Sequence, residues 1–370
     1  MSKTVKTRRK FLKAGAATVV GGAAAVAMPN IAKAAPVVLK VQAAWGGGIF
    51  LENAKSYVDR VNAMAGSGLK IDLLSVNSVV KTSQMQDAVH RGVLDGAHYV
   101  PAYWYSKSPA ASLFGTGPCF GWSAQEMLGW IHYGGGIELF NELMGSLGLN
   151  LVSFFNSPMP AQPLGWFKEE IKGSGQMKGL KYRTVGLAAD VLNEMGMSVV
   201  QLPGGEIQPA MKSGLIDAAE FNNPTSDSDF GMQDVSKHYH LASFHQSQEC
   251  FEIVYNKTRF DKLAGEHQAI LEYAAEAASS DMAWKAMERY SQDLVKLKKD
   301  HGVNVYRTPD AVMQDQLKAW DIVVARISGE DPFFKKVIDS QKAWAQRHGA
   351  YALNNAPDYR GAYEHYFGSL

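Results

Sequence analysis

PGGEIQPAMKSGLIDAAEFNN, residues 203–223, reads as one complete structural phrase. Pro203, Gly204 and Gly205 make a turn. Ile207, Met211 and Leu215 recur at helical spacing on one face, Gly214 stops that helix, and Leu215 to Ala219 reads as a short apolar strand. The strand delivers Glu220 and Phe221 at its carboxyl end. In open α/β sheets, ligands gather beyond the carboxyl ends of strands, so a carboxylate placed there without a local partner marks a candidate site.

The phrase has an upstream echo. Arg91-Gly92-Val93-Leu94-Asp95-Gly96-Ala97 and Ser213-Gly214-Leu215-Ile216-Asp217-Ala218-Ala219 both run glycine, two apolar residues, aspartate, small residues. Such an internal recurrence points to two lobes of similar construction. Upstream of the first copy, Val37 to Ala44 alternates as a strand, Gly46-Gly47-Gly48 turns, Ile49 to Met64 is a helix, and Leu69 to Ser75 is a second strand. The glycine run matches neither a dinucleotide nor a Walker pattern and reads as a tight turn lining the cleft. The aromatics Tyr99, Tyr103, Trp104 and Tyr105 lie just past a strand end, where a cleft-lining loop and a core helix are both open readings.

Between the copies, Ser123 to Leu147 is helical with a glycine break at Gly134 to Gly136. Leu149 to Phe155 is a strand, and Asn156 to Pro163 is a proline-bearing hinge. Gly179 to Thr184 is a strand ending and Ala188 to Met195 is the helix after it. Beyond the opening phrase, His238 and His240 alternate on a loop or strand and read as solvated residues. Cys250 to Tyr255 is a strand, Glu266 to Asp300 a long polar helix, and Pro309 to Ser328 and Asp331 to His348 two more helices before an aromatic tail.

The N-terminus fixes the compartment. Arg8-Arg9-Lys10-Phe11-Leu12-Lys13, an Ala/Gly-rich apolar run and Ala32-Lys33-Ala34 make a twin-arginine-type export signal over residues 1–34. Its removal takes away seven basic residues and no acid, leaving 30 basic against 36 acidic side chains, a net charge of −6. That balance offers no footprint for nucleic acid. Cys119 and Cys250 are distant and lack CxxC spacing, and a chain of this size needs no disulfide.

Metalloprotease, serine-hydrolase, P-loop and CxxC templates are all missing, which favours binding over catalysis. What stands out is one cation and one anion. Arg183, at a strand end, has a planar guanidinium that matches a carboxylate bidentately, and it could equally pair with Glu220. Glu220 and an anionic ligand can share a pocket only if Arg183 and a metal ion intervene. Gln162, Glu220 and Gln246 would supply the hard oxygen donors that Na⁺ or Ca²⁺ takes.

These residues sit in motifs that resemble a known family. Trp166-Phe167 after Gln162, Gly179-Leu180-Lys181-Tyr182-Arg183, Gly204-Gly205-Glu206-Ile207-x-Pro209-Ala210, Gly214-x-Ile216-Asp217-Ala218-x-Glu220 and Tyr133-Gly134-Gly135-Gly136-Ile137 resemble the extracytoplasmic solute receptors of TRAP transporters. The 2-oxoacid-binding branch is the nearest in kind. The resemblance covers essentially the whole mature chain. It implies a periplasmic-binding-protein-like fold: two α/β lobes around a ligand cleft, a long connecting helix and a helical C-terminus. The expected limits are 35–155 plus about 250–330 for the first lobe, 156–249 for the second, and 331–370 for an extension through which such receptors dimerise.

The resemblance further implies a periplasmic receptor that hands a small organic acid to TRAP membrane subunits. Arg183 would bind the carboxylate of a 2-oxo or 2-hydroxy acid. Gln162, Glu220 and the carbonyl of Phe221 would hold a bridging cation, and Tyr103 and Trp104 would cover the ligand. Three departures bear on the ligand: Phe221 stands where the branch has Trp, Asn222-Asn223-Pro224 where it has Val-Gly-Pro, and Gln246 where it has an acidic metal ligand. With Arg183, Glu220 and a monocarboxylate, a monovalent ion balances the charge, so Na⁺ is expected ahead of Ca²⁺. Asn222 and Asn223 add polar groups that enlarge or re-specify the pocket. The competing readings are a secreted enzyme using Glu220 as a base and a docking module that feeds a sensor.

Overall fold

The structure, a computed structural model, describes residues 36–202 and 204–370; the export signal expected over residues 1–34 and Pro203 of the opening turn lie outside the described residues. Eleven strands are described in chain order: β1 (Val37–Ala43), β2 (Leu69–Leu74), β3 (Gly96–Tyr99), β4 (Leu151–Met159), β5 (Gly165–Phe167), β6 (Lys181–Arg183), β7 (Ser198–Val200), β8 (Ala218–Ala219), β9 (His238–Leu241), β10 (Glu249–Asn256) and β11 (Asn304–Arg307). They form two sheets, ordered β2-β1-β3-β10-β4 and β11-β9-β5-β8-β6-β7. Both sheets are mixed: β1–β2, β1–β3, β6–β7, β6–β8 and β9–β11 pair in parallel, and β3–β10, β4–β10, β5–β8 and β5–β9 pair antiparallel. This is the two-lobed α/β architecture expected from the sequence.

The repeated phrase has the same hydrogen bonds in both lobes. Gly92 (φ +75) and Gly214 (φ +74) take the left-handed conformation that ends the preceding helix. The next residue, Val93 or Leu215, donates its N–H at 2.9 Å to the carbonyl of Ala88 or Ala210 and faces solvent. Leu94 and Ile216 then drop into the core. Asp95 and Asp217 accept the N–H of Lys40 and Lys181, tying each phrase to the neighbouring parallel strand. The strand expected over Leu215 to Ala219 is therefore only Ala218–Ala219, because the residues before it form the helix stop.

Three further expectations change. The hinge expected over Asn156 to Pro163 is partly strand, since β4 runs to Met159 and pairs it with Glu249 of β10. The first lobe does not extend to residue 330: after the 35-residue helix Gly265–Lys299, β11 joins the second sheet beside β9, and helix Asp310–Glu330 packs on helix Leu187–Glu194. His240 is buried rather than solvated; its Nε2 accepts the N–H of Ile171, and burial pushes it down to about 4.

The long helix, about 50 Å at 1.5 Å per residue, touches both lobes. Ser56 of helix Gly48–Ala65 donates to Asp281, and Thr225 beyond β8 donates to Asp293. The C-terminal helix Pro332–Asn355 returns to the first lobe, where Gln341 Nε2 donates to the Leu113 carbonyl and Trp130 Nε1 donates to Ser340. Cys119 and Cys250 are unpaired, and no described helix is long and apolar enough to cross a membrane.

Inside the first lobe, Glu252 of β10 is fully buried with Ser153 donating to its Oε1. Burial pushes its carboxyl up from 4.5 to about 8, held back by the Ser153 bond. Between these values the unfolded chain has released the proton and the folded chain keeps it, so stability falls as pH rises through that window. Glu252→Gln is expected to remove up to about 1.4 kcal/mol per pH unit from the slope of unfolding free energy between pH 5 and 8. Denaturant titrations at three pH values measure it, and an unchanged slope would refute the assignment.

Candidate binding cleft

Arg183 ends β6 and Glu220 follows β8, and the parallel register sets Arg183 opposite Ala219. Two residues 37 apart in sequence thereby become neighbours in space. Arg183 Nη1 donates to Glu220 Oε1 at 3.0 Å and to the Glu220 carbonyl at 3.1 Å, while Nε donates to the Leu202 carbonyl at 2.9 Å. Both side chains are buried. The ion pair considered from the sequence is thus present, and it leaves Nη2 without a partner among the described residues. Burial raises Glu220 to about 7 against the pull of Arg183 and neighbouring Thr184.

A second carboxylate, which sequence reasoning missed, completes the cluster. Glu249, at the start of β10, accepts from Gln162 Nε2 at 2.9 Å and from Asn222 Nδ2 through a short bond. Burial pushes it up to about 8, and Glu220 adds to the rise while Asn222, Gln162 and Arg183 oppose it. The signal was readable in ECFEIVYN (249–256), where two acids interrupt a strand whose every residue is buried. Thr184 was missed as well; it accepts from Gln246 Nε2 at 2.9 Å.

Asp227 supports this cluster. Its carboxylate accepts from Trp166 Nε1, Tyr239 OH, the N–H groups of Asn222 and Asn223, and Ser226 Oγ, all within 3.2 Å. Burial raises it, and these bonds draw it back. Trp166 and Tyr239 stack at 4.2 Å beneath it. Asn223 caps the helix Pro224–Asp229 by accepting the N–H of Ser226. Asn222 is thereby held against Glu249.

In front of the cluster lies a cleft of about 470 Å³ between the lobes. Trp45, Phe50 and Tyr103 of the first lobe face Leu202, Phe221 and Phe230 of the second. Phe221 joins the cleft to the charges: its ring centroid is 6.0 Å from the Arg183 guanidinium carbon. Gly204 permits this, since a Cβ there would meet the Phe221 ring at 2.5 Å. Tyr103 also borders both regions, for burial raises its hydroxyl to about 12 and the fields of Arg183, Glu249 and Glu220 act on it. Trp104, expected beside it as a cover, is buried in a hydrophobic cluster, edge-on to Tyr99 at 4.7 Å.

The donor set suits a hard cation. Gln162 Oε1, Gln246 Oε1 and Glu220 Oε2 are buried oxygens with no hydrogen-bond partner, and Gln162 N–H donates to the Gln246 carbonyl at 2.9 Å. Buried acceptors without donors are costly unless an ion or water meets them. No group of three or more His, Cys, Asp or Glu side chains among the described residues could hold a metal alone, so any cation here relies on amide and ligand oxygens.

The chain belongs to the bacterial extracellular solute-binding proteins of family 7 (DctP), whose family model matches residues 48–330. It is 29% identical over 294 residues, 80% of each chain, to a monocarboxylate 2-oxoacid-binding periplasmic protein of Nostoc. A TRAP transporter solute-binding protein of Bordetella bronchiseptica, a mixed-occupancy dimer holding calcium and picolinate, superposes with a TM-score of 0.83 at 26% identity, covering 90% of this chain and 97% of that one. One from Pseudoalteromonas atlantica with bound sodium and pyruvate gives 0.81 at 27%, covering 90% and 99%. Family and fold neighbours are transport receptors rather than enzymes, which removes the reading of Glu220 as a catalytic base.

Proposed function

We propose that this protein is a periplasmic receptor that binds a small 2-oxo or 2-hydroxy monocarboxylate for uptake by TRAP membrane subunits. The carrying observation is the buried Arg183–Glu220 pair, with orphaned oxygens of Glu220, Gln162 and Gln246 beside it. Arg183 Nη2 takes the substrate carboxylate. Gln162, Glu220, Gln246 and the Phe221 carbonyl offer oxygens to a cation that also meets the ligand, as support from the sodium–pyruvate and calcium–picolinate neighbours suggests. Closure of the two lobes, one built around each sheet, would bury the ligand.

Glu249 changes the choice of ion. The expectation of Na⁺ counted one protein carboxylate; a bound cation would hold both Glu220 and Glu249 ionised against the rise that burial causes, and with a monocarboxylate against Arg183 a divalent ion then balances the site. Calorimetry with pyruvate is expected to show binding strengthened at least tenfold by millimolar Ca²⁺ over Na⁺, and weakened by chelation. Glu249→Gln is expected to lower the Ca²⁺ preference toward parity. Equal affinity in both salts, unaffected by that substitution, would return the site to a monovalent ion.

Homodimerisation through the C-terminal extension is part of the same proposal. It is supported by exposed Tyr351, Leu353, Tyr359, Tyr366 and Phe367 on helices Pro332–Asn355 and Tyr359–Phe367, since clustered exposed apolar side chains mark interaction surfaces. Light scattering giving a monomer mass at micromolar concentration would oppose it.

A further inference from the structure

We infer that the ligand of this cleft is a monocarboxylate with a branched or aromatic side chain, and that Glu206 rejects dicarboxylates. The inference rests on the organic-acid reading above and concerns the part of the ligand that Arg183 does not hold. Beyond the Arg183 cluster, the cleft wall is built from Trp45, Phe50, Phe221 and Phe230 with Val76, Val185 and Leu202. Trp45 is braced by stacking on Phe251 at 4.5 Å and by donating to His98 at 2.7 Å. Phe221 packs edge-on to Phe230 at 4.6 Å. Each half of the aromatic wall is therefore braced within its own lobe.

Size points the same way. A cleft of about 470 Å³ lies within the roughly 300–1,000 Å³ of sites for drug-sized ligands, far more than a three-carbon acid fills. Charge supplies the selectivity. The one charged residue among the described cleft-lining residues is Glu206, exposed in the first turn of helix Gly204–Ser213. A second carboxylate on the ligand would find no cation there and would meet the like charge of Glu206. An apolar side chain meets the aromatic wall instead.

The test is calorimetry on the mature receptor in a single Ca²⁺ and Na⁺ buffer with pyruvate, 4-methyl-2-oxopentanoate, phenylpyruvate and 2-oxoglutarate. Each buried methylene is expected to tighten binding about fourfold, so 4-methyl-2-oxopentanoate binds at least tenfold tighter than pyruvate, and 2-oxoglutarate binds weakest. Glu206→Lys, at an exposed position that leaves folding intact by thermal unfolding, is expected to gain at least tenfold for 2-oxoglutarate. Pyruvate as the tightest ligand, or 2-oxoglutarate bound best by the unaltered protein, would overturn this inference and leave the receptor reading standing. Binding of none of the four would overturn both.

Discussion

In Arg183→Ala, carboxylate binding is expected to fall by a factor of at least a thousand, to the limit of calorimetric detection. Two losses combine. The ligand forfeits a charge-assisted, potentially bidentate partner, and Glu220 keeps a buried charge with no cation. Breaking a buried pair from one side typically costs about 3–5 kcal/mol, so the variant is also expected to unfold earlier at pH 8. The penalty shrinks at pH 6, because Glu220, raised to about 7 even with Arg183 beside it, then takes a proton and becomes neutral.

A companion variant separates folding from recognition. Arg183→Met with Glu220→Gln removes both charges and is expected to recover much of the stability, since a buried pair often replaces well as a unit. It should not recover binding. Undiminished affinity in either variant would show that the carboxylate is held elsewhere.

The second large effect is expected at Asp227, which touches neither Arg183 nor the open cleft. Asp227→Ala removes the acceptor from five donors at once. Each buried donor left unsatisfied costs about 1–3 kcal/mol, with relaxation making the total less than the sum. A loss on the order of 4–5 kcal/mol in denaturant-derived stability is expected, at the exceptional end for a single substitution. The same change frees the N–H groups of Asn222 and Asn223 and so loosens Asn222 from Glu249. Ligand affinity is therefore expected to fall in the fraction that remains folded. Asp227→Asn, which keeps one acceptor oxygen, should lie between. A loss below 1 kcal/mol would mean that water replaces the carboxylate without strain.

Much of this was legible along the chain because it is local. The helix, glycine, apolar pair, aspartate phrase sets its own conformation: only a residue that tolerates positive φ ends the helix at Gly92 and Gly214, and a short acid then reaches the adjacent strand's N–H. That the phrase occurs twice marked two lobes before any contact was known. Glu220 at the end of the second copy, and Arg183 at a strand end, were readable for the same reason, as was the long helix.

What the chain did not disclose is non-local. Glu249 joins the site only because β10 returns between β3 and β4 and so brings its first residue to Gln162 and Asn222. Trp104 and Tyr103 are adjacent in sequence, yet the turn after β3 sends one into the core and the other to the cleft. The opening stretch by itself determined a helix, a stop and a carboxylate at a strand end, because backbone conformation and residue spacing act over a few positions. Only the tertiary structure decided that this carboxylate would be paired with Arg183 and joined by a second acid beside an aromatic cleft, because burial and charge depend on what distant segments bring alongside.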